Sequence, residues 1–426
     1  MAVNKDELHA PSWMTEAFFE KVLRQSEADQ TITVASCKMV PGTKPGDHFA
    51  SIIFRATVEY RSHGKDRTVS LIVKTMPVEE GMKKDMLSGT LFETETIMFG
   101  TVLPEMHRVL RSVGDNTELG PRLLYSVKEP HVVMVFEDIA ARNYIMKYSQ
   151  LDLSDAKLVY AKLARWHAAS LFLEDSCPAI KKLDVGFGNY ESGKFLFIWT
   201  EQLGKLIKVI AEWKGFESYS ERLDNIKEQL MKKLFEIYTS RDRSIYNVLN
   251  HGDLHFKNMM YQIEEGKTKD ILLLDYQLSI WGSPAIDIIY SLYNTCSIET
   301  RDNHRNELIK FYHDEFVSVL NCLGYLKKIP SLLDLHIEIT KCGHLETFLA
   351  CIFMPFMLLS FDDYGSKPEA KEEIKEDGED KKDEVFDYAD KQKMEDMIFG
   401  AYRHPKFVET LKKYLPMYLH RGLLDL

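Results

Sequence analysis

An α+β chain in two lobes, a small β-rich one followed by a large and mostly helical one, is the fold class this sequence predicts, and three observations carry it. Phe54, Ala56, Val58 and Tyr60 alternate with Arg55, Thr57 and Glu59, and Val69, Leu71 and Val73 alternate with Ser70, Ile72 and Lys74. A period of two marks half-buried strands. Further on, Ser154 to Leu173, Phe195 to Trp213 and Tyr219 to Tyr238 carry long apolar patterns at helical spacing. The third observation is a run of spaced polar residues, His251 to Asn258, followed by the apolar run Ile271 to Leu274 that closes on Asp275.

Taken in chain order, Thr15 is a candidate N-cap for a helix reaching Arg24, with an apolar stripe to pack on the first lobe. Gly46 to Ser51 falls between two strand-like runs, where Ser51 and Phe49 are candidate phosphate contacts and a purely structural hairpin is the equal alternative. Strand alternation sets Lys74 opposite Val69, Leu71 and Val73, free to point into a cleft. Phe92, Phe99 and Leu103 form a helical stripe interrupted by Glu95. A carboxylate there needs a partner, because a buried unpaired charge is costly, and Lys74 is the natural one. His131 to Phe136 reads as an apolar strand ending at Glu137, Asp138 and Ile139. Phe348 to Phe361 is the longest apolar stretch, but it contains a proline and falls short of the ~20 residues of a membrane span. It reads as a core helix of the second lobe. Ser366 to Glu384 is nearly all charged and cannot bury enough surface to offset its ordering entropy, so it is expected to be a disordered surface loop.

With 426 residues, 45% of them hydrophobic, the chain has material for one large core or two modest ones. A net charge of −11 argues against a nucleic-acid surface. The six cysteines lack C-x-x-C spacing and read as reduced thiols, and the first residues lack the apolar core of a secretory signal. A soluble cytoplasmic protein is therefore expected.

The polar run has a chemical reading. His251, Asp253 and Asn258 fit the pattern H-x-D-L-x-x-x-N of a phosphoryl-transfer loop, in which the aspartate takes the proton of the attacking hydroxyl and the asparagine holds Mg²⁺. Asp275, at a strand end, is placed to hold a metal that bridges nucleotide phosphates. His251 is expected to brace the loop. Asp287, near a helix start, is expected to anchor it by accepting backbone N–H bonds. His167 reads as a core histidine ahead of a catalytic one.

These residues resemble the catalytic loop of small-molecule kinases such as choline and aminoglycoside kinases, and most closely the ecdysteroid kinase-like (CHK kinase-like) family of arthropods. Members carry H-G-D-x-x-x-x-N followed by D-F-Q, and this chain has Asp275, Tyr276 and Gln277 there. The resemblance extends to Pro11 to Thr15, Gly46 to Ser51, Phe92 to Glu95 before Leu103 and Pro104, and Arg165 to Ala168.

The resemblance implies a protein kinase-like two-lobe fold, with residues 1–136 as the nucleotide-binding lobe and 137–426 as hinge and helical lobe. It implies ATP and Mg²⁺ as cofactors, Asp253 as the catalytic residue, and Asn258 and Asp275 as metal ligands. Lys74 with Glu95, chosen over Glu93, would position the phosphates. Glu137 and Ile139 would pair with adenine through their backbones. His255 would stand near the γ-phosphate or brace the loop. The implied acceptor is the hydroxyl of a small lipophilic alcohol, an ecdysteroid, related steroid or xenobiotic. A choline- or aminoglycoside-type kinase and a catalytically silent binding protein of the same fold are the rivals. Oligomeric state is open. Tyr276, Trp281, Tyr290 and Tyr293 would suit an apolar acceptor, though such spacing more often marks core.

Overall fold

A computed structural model of the protein describes residues 9–42, 51–76, 90–184, 186, 193–358 and 395–425. The charged segment 366–384 and residues 43–50 of the first-lobe loop, Phe49 among them, lie outside the described residues.

Five antiparallel strands build the N-terminal sheet: β1 (Thr33–Pro41), β2 (Ile52–Ser62), β3 (Lys65–Thr75), β4 (Leu123–Val127) and β5 (Val133–Glu137), in the spatial order β1-β2-β3-β5-β4. The alternation sorts their faces as the sequence predicts. Phe54, Ala56, Val58, Leu71 and Val73 are buried in a core that includes Phe19, Val22 and Leu23 of helix Glu16–Glu27, capped by Thr15. Ile53, Arg55, Ile72 and Lys74 face a cleft on the other side.

Helix Thr90–Ile97 continues through a π turn, Met98–Val102, into helix Leu103–Ser112. Phe92, Met98, Phe99 and Leu103 pack into the larger core of the C-terminal lobe rather than into the sheet's core. The Glu95 helix is thus wedged between the two lobes.

Helices dominate the C-terminal lobe, chiefly Leu153–Phe172, Gly193–Ala211, Glu217–Thr239, Ala285–Asn294, Ile298–Cys322, Leu332–Lys341 and Pro405–His420. Two small antiparallel sheets stand at its cleft end. One is β6 (Tyr144–Ile145) with β8 (Met259–Glu264) and β9 (Lys267–Leu273), and the other pairs β7 (Val248–Asn250) with β10 (Ile280–Gly282). This is a protein kinase-like α+β fold.

Within this lobe, the buried carboxylate of Glu346 accepts two hydrogen bonds from Arg305 (3.1 and 2.7 Å), two from Arg421 (2.9 and 2.8 Å) and one from Tyr293 (3.1 Å). Helix Gly343–Phe348, helix Ile298–Cys322 and the C-terminal residues meet there. Burial by itself would push this carboxyl up, but Arg421 and Arg305 outweigh it and hold it below the usual glutamate value.

The long apolar stretch is helical from Gly343 to Leu358, with a π turn at Leu349–Phe353. Among the described residues no single helix is long and apolar enough to cross a membrane. The six cysteines are free thiols, and four of them are buried.

Candidate active site

Strand pairing brings together residues that are far apart in sequence. β8 begins directly after Asn258, β9 ends just before Leu274, and the two pair with Met259 opposite Leu273. Their register sets the loop beside the residues after β9, and the Leu274 N–H donates to the Asn258 carbonyl at 2.9 Å. Entry to the loop is fixed by the pairing of Asn250 with Ile280.

The loop then turns at Gly252, whose φ is +82°. A Cβ at that position would come within 2.1 Å of the Leu278 carbonyl oxygen. Only glycine fits this approach. Asp287 holds the turn, taking the His251 N–H on Oδ2 (2.6 Å) and the Gly252 N–H on Oδ1 (2.9 Å). Its carboxylate therefore caps the loop and not its own helix.

His251 lies between Leu274, whose carbonyl is 2.8 Å from Nε2, and the Asp253 N–H, which is 3.4 Å from Nδ1. Burial pushes its imidazole below the usual histidine value. Neutral, it donates to one strand end and accepts from the loop, which is a bracing role. His167 is wholly buried, 2.7 Å from the Tyr312 hydroxyl and 3.3 Å from Asp287. It is a core histidine whose partners are side chains.

On the N-terminal side, the Lys74 ammonium stands 2.6 Å from Glu95 and 2.8 Å from Asp275. Glu93 instead meets Lys128 at the surface. Burial would lower the lysine pKa, but the two carboxylates outweigh it and raise it. Burial and the nearby Asp275 charge push Glu95 up despite Lys74. Two carboxylates sharing one ammonium leave an excess of negative charge. Asp275 itself has φ +62°, a left-handed conformation uncommon for a residue with a side chain, of the kind found where a functional group is held in place.

A cleft of about 460 Å³ is lined by Lys74, Glu95, Asn258, Asp275, Glu137 and Ile139 among others, a volume suited to a small-molecule ligand. Asp138, which sequence reasoning passed over, fixes the segment between the lobes. It accepts from Arg55 (2.8 Å) and Ser70 (2.6 Å) on the sheet and from the Ala140 N–H (3.1 Å). Its signal was its position after the apolar strand. Ser51 is buried and is not among the residues lining this cleft. His255 is not among them either. Its Nε2 is 3.5 Å from Asp253 Oδ1, and its Nδ1 accepts from the Lys257 N–H at 3.2 Å.

The Asp253 carboxylate is held from two sides. Asn258 Nδ2 donates to its Oδ2 and to its backbone carbonyl, both at 3.0 Å, and the Tyr290 hydroxyl donates to Oδ1 at 2.6 Å. Burial would raise this carboxyl, but His255 and the Tyr290 hydrogen bond outweigh it and hold it at about 2. The sequence offered Tyr290 as an apolar wall of the acceptor site or, more often at such spacing, as core, and not as a hydrogen-bond donor. The other three aromatic residues are core. Tyr276 stacks on Trp166 (4.8 Å between ring centroids, 4° between planes) and donates to the Leu119 carbonyl. Trp281 is buried, and Tyr293 belongs to the Glu346 cluster.

The donor set fits Mg²⁺. Asn258 commits its amide nitrogen to Asp253, which leaves its oxygen for a cation. Asp275 supplies a carboxylate in the same cleft, and the excess negative charge is what a divalent ion would offset. Mg²⁺ takes one or two protein oxygens and completes its shell with phosphate and water. In keeping with that, no cluster of three or more His, Cys, Asp or Glu side chains among the described residues is arranged to hold a metal alone.

The geometry can be checked by a coupling measurement. Lys74→Met and Glu95→Gln are each expected to impair phosphoryl transfer, and the double variant to lose less than the sum by 0.5–3 kcal/mol or about that, because contacting charges act as one unit. Strictly additive losses in kcat/KM would show that the pair does not act together.

The chain shows distant likeness to solved structures of small-molecule kinases. The ethanolamine kinase of Plasmodium vivax is 11% identical, over 96% of this chain and 93% of that one, with a TM-score of 0.41. An aminoglycoside phosphotransferase from Alicyclobacillus acidocaldarius is 10% identical over 87% and 91%, with a TM-score of 0.37. A microcompartment-associated aminopropanol kinase is 11% identical over 96% and 98%, with a TM-score of 0.34. No curated protein matches the chain. The decisive match is to a family model, which covers residues 45–325, well over half of the chain and the whole span from before β2 to beyond Asp287. The chain belongs to the ecdysteroid kinase-like family, a family of kinase-like phosphotransferases that act on small molecules.

Proposed function

We propose that this protein transfers the γ-phosphoryl group of ATP, with Mg²⁺, to a hydroxyl of a small lipophilic alcohol, with steroid alcohols of the ecdysteroid type as the leading class. The observation that carries the reading is the convergence of Lys74, Glu95, Asn258 and Asp275 on one cleft, with Asp253 hydrogen-bonded to Asn258 at its edge. Residues separated by up to 201 positions meet within hydrogen-bonding range. A pure scaffold has no need of that arrangement.

Asp253 aligns the acceptor hydroxyl and takes its proton as the oxygen forms a bond to the γ-phosphorus. The bond from phosphorus to the bridging oxygen breaks, and ADP leaves with the electron pair. Lys74, oriented by Glu95, binds the phosphates. Backbone groups of Glu137 and Ile139 receive adenine, on a segment held rigid through Asp138. Magnesium supplies neutralisation of the charge that builds on the phosphate oxygens, and Asp275 and Asn258 would hold it. His255 steadies the loop and the Asp253 carboxylate.

Support for a lipophilic acceptor comes from the residues beyond Asp253. The Phe353 ring lies 6.3 Å from that of Tyr290, whose hydroxyl touches Asp253. Phe353, Phe356 and Met357 share one helical face and are each partly exposed. That face offers an apolar surface close to the loop.

Purified protein with Mg²⁺ and ATP, screened by mass spectrometry against steroid alcohols, choline and aminoglycosides, tests the reading. A phosphorylated steroid is the expected product, and phosphorylated choline or aminoglycoside would move the assignment to a cationic acceptor. ATP binding with no product would make the chain a silent binding protein. The metal assignment has its own check: Asp275→Ala, which removes a carboxylate that would hold the ion directly, is expected to abolish Mg²⁺-dependent ATP binding. Titration calorimetry with and without Mg²⁺ measures it, and an undiminished Mg²⁺ effect would place the ion elsewhere.

A further inference from the structure

His255 was the loop's candidate for a cation near the γ-phosphate, and the structure leaves it outside the lining of the cleft, beside Asp253. Lys257, two residues on, does line the cleft. The local turn accounts for the exchange. Phe256, Lys257 and Asn258 form one 3₁₀ turn, in which Phe256 is wholly buried, Asn258 lines the cleft and Lys257 is partly exposed beside it.

The chemistry of Lys257 narrows what it can offer a ligand there. An ionised phosphate oxygen accepts hydrogen bonds and donates none. Lys257 has two kinds of donor, its backbone N–H and its ammonium, and the N–H is given to His255 Nδ1 at 3.2 Å. What it brings to a phosphate is therefore the ammonium, a compact charge on a flexible four-carbon stem.

Position says which phosphate. Among the described residues, the lysines and arginines that line the cleft are Arg55, Lys74 and Lys257. Arg55 meets Asp138 at 2.8 Å, next to the inter-lobe segment that would receive the base. Lys74 lies between Glu95 and Asp275. Lys257 directly precedes Asn258, whose amide nitrogen bonds Asp253 at 3.0 Å and whose oxygen, with Asp275, would hold Mg²⁺. It thus flanks the place between the metal and the general base, where the group to be transferred must lie. The carboxylates of Asp253 and Asp275 border that place, and Mg²⁺ offsets only part of the charge of a triphosphate. A cation on the transferring phosphoryl group relieves this repulsion and stabilises the charge of the transition state.

We propose that Lys257 binds the terminal phosphate of ATP through its ammonium, and that His255 fixes the turn that presents it. The proposal rests on the phosphotransferase reading above and names a further cation of the same site. Its consequence is selectivity between substrate and product. The contact is made with the group that is transferred and not with the ADP that remains, so Lys257 favours ATP over ADP and gives up its hold on the nucleotide once the phosphoryl group has moved to the alcohol.

Titration calorimetry with Mg²⁺-ATP and with Mg²⁺-ADP reads this selectivity and needs no acceptor. Lys257→Met keeps an unbranched side chain and removes the charge. It is expected to weaken ATP binding about 10-fold, the weight of one hydrogen bond to a charged group, and to leave ADP binding within about 2-fold. His255→Asn, whose side chain can still accept the Lys257 N–H, is expected to leave the ratio of the two affinities unchanged. A lysine that only props the loop would weaken both nucleotides alike. An ATP-to-ADP affinity ratio that Lys257→Met leaves unchanged or raises overturns the proposal, and so does a His255→Asn variant whose ratio falls about 10-fold, which would return the phosphate to the histidine. If Lys257→Met does not fold, Lys257→Gln removes the same charge and carries the same test. Wild-type protein that binds neither nucleotide would instead sink the phosphotransferase reading itself, a separate outcome.

Discussion

Asp253→Asn is expected to leave nucleotide binding in place and to lower phosphoryl transfer by roughly 10²–10⁴-fold, the range lost when a positioned acid or base is removed. The substitution keeps the shape of the side chain. Its new oxygen accepts from Tyr290 as before, but its new amide nitrogen then faces Asn258 Nδ2, donor against donor, where the carboxylate accepted at 3.0 Å. Losing that one hydrogen bond costs about 1 kcal/mol. Thermal melting should therefore show a small fall while single-turnover transfer falls by orders of magnitude. Transfer within a few-fold of wild type would remove Asp253 from the mechanism.

Glu346→Ala is expected to destabilise the fold by about 3–5 kcal/mol, because it strips the shared partner from two arginines that converge on a wholly buried carboxylate. Arg305 and Arg421 would be left facing one another with no anion between them. The C-terminal end of the chain, which Arg421 ties to the helical lobe, should loosen first. Guanidinium denaturation measures the loss, and a change under 1 kcal/mol would show that solvent replaces the carboxylate at little cost. The same contact has a pH dependence. The folded-state pKa of Glu346 is depressed, so its contribution is full above the ordinary glutamate value and is lost as pH falls through the folded one. Wild-type stability should decline in that acid window, and the alanine variant should lack this part of the decline.

The strands and helices were legible because a single pattern dictated each. Alternation from Phe54 to Tyr60 and from Val69 to Lys74 put the apolar residues in the sheet's core and Lys74 in the cleft. Thr15 capped its helix, and the three long helices of the second lobe lie within a few residues of their sequence patterns. Glu95 was readable because a charge in an apolar stripe demands a partner.

What the sequence by itself determined is the chemistry available: which residues bear protons, which are oxygen donors, and the strand or helix each belongs to. Those properties follow from residue type and local period, which act over a few neighbouring positions. Tertiary structure decided which of them meet. The pairing of β8 with β9 sets Asn258 beside Leu274, and the wedged helix brings Glu95 to Lys74. Asp138 became the lock of the inter-lobe segment only through Arg55 and Ser70 on the sheet. Tyr290 read as one more core aromatic until its helix, gripping the loop through Asp287, delivered the hydroxyl to Asp253. A hydrogen bond across 37 positions leaves no periodic trace in a sequence, because its geometry is set by the packing of elements whose own residues say nothing about it.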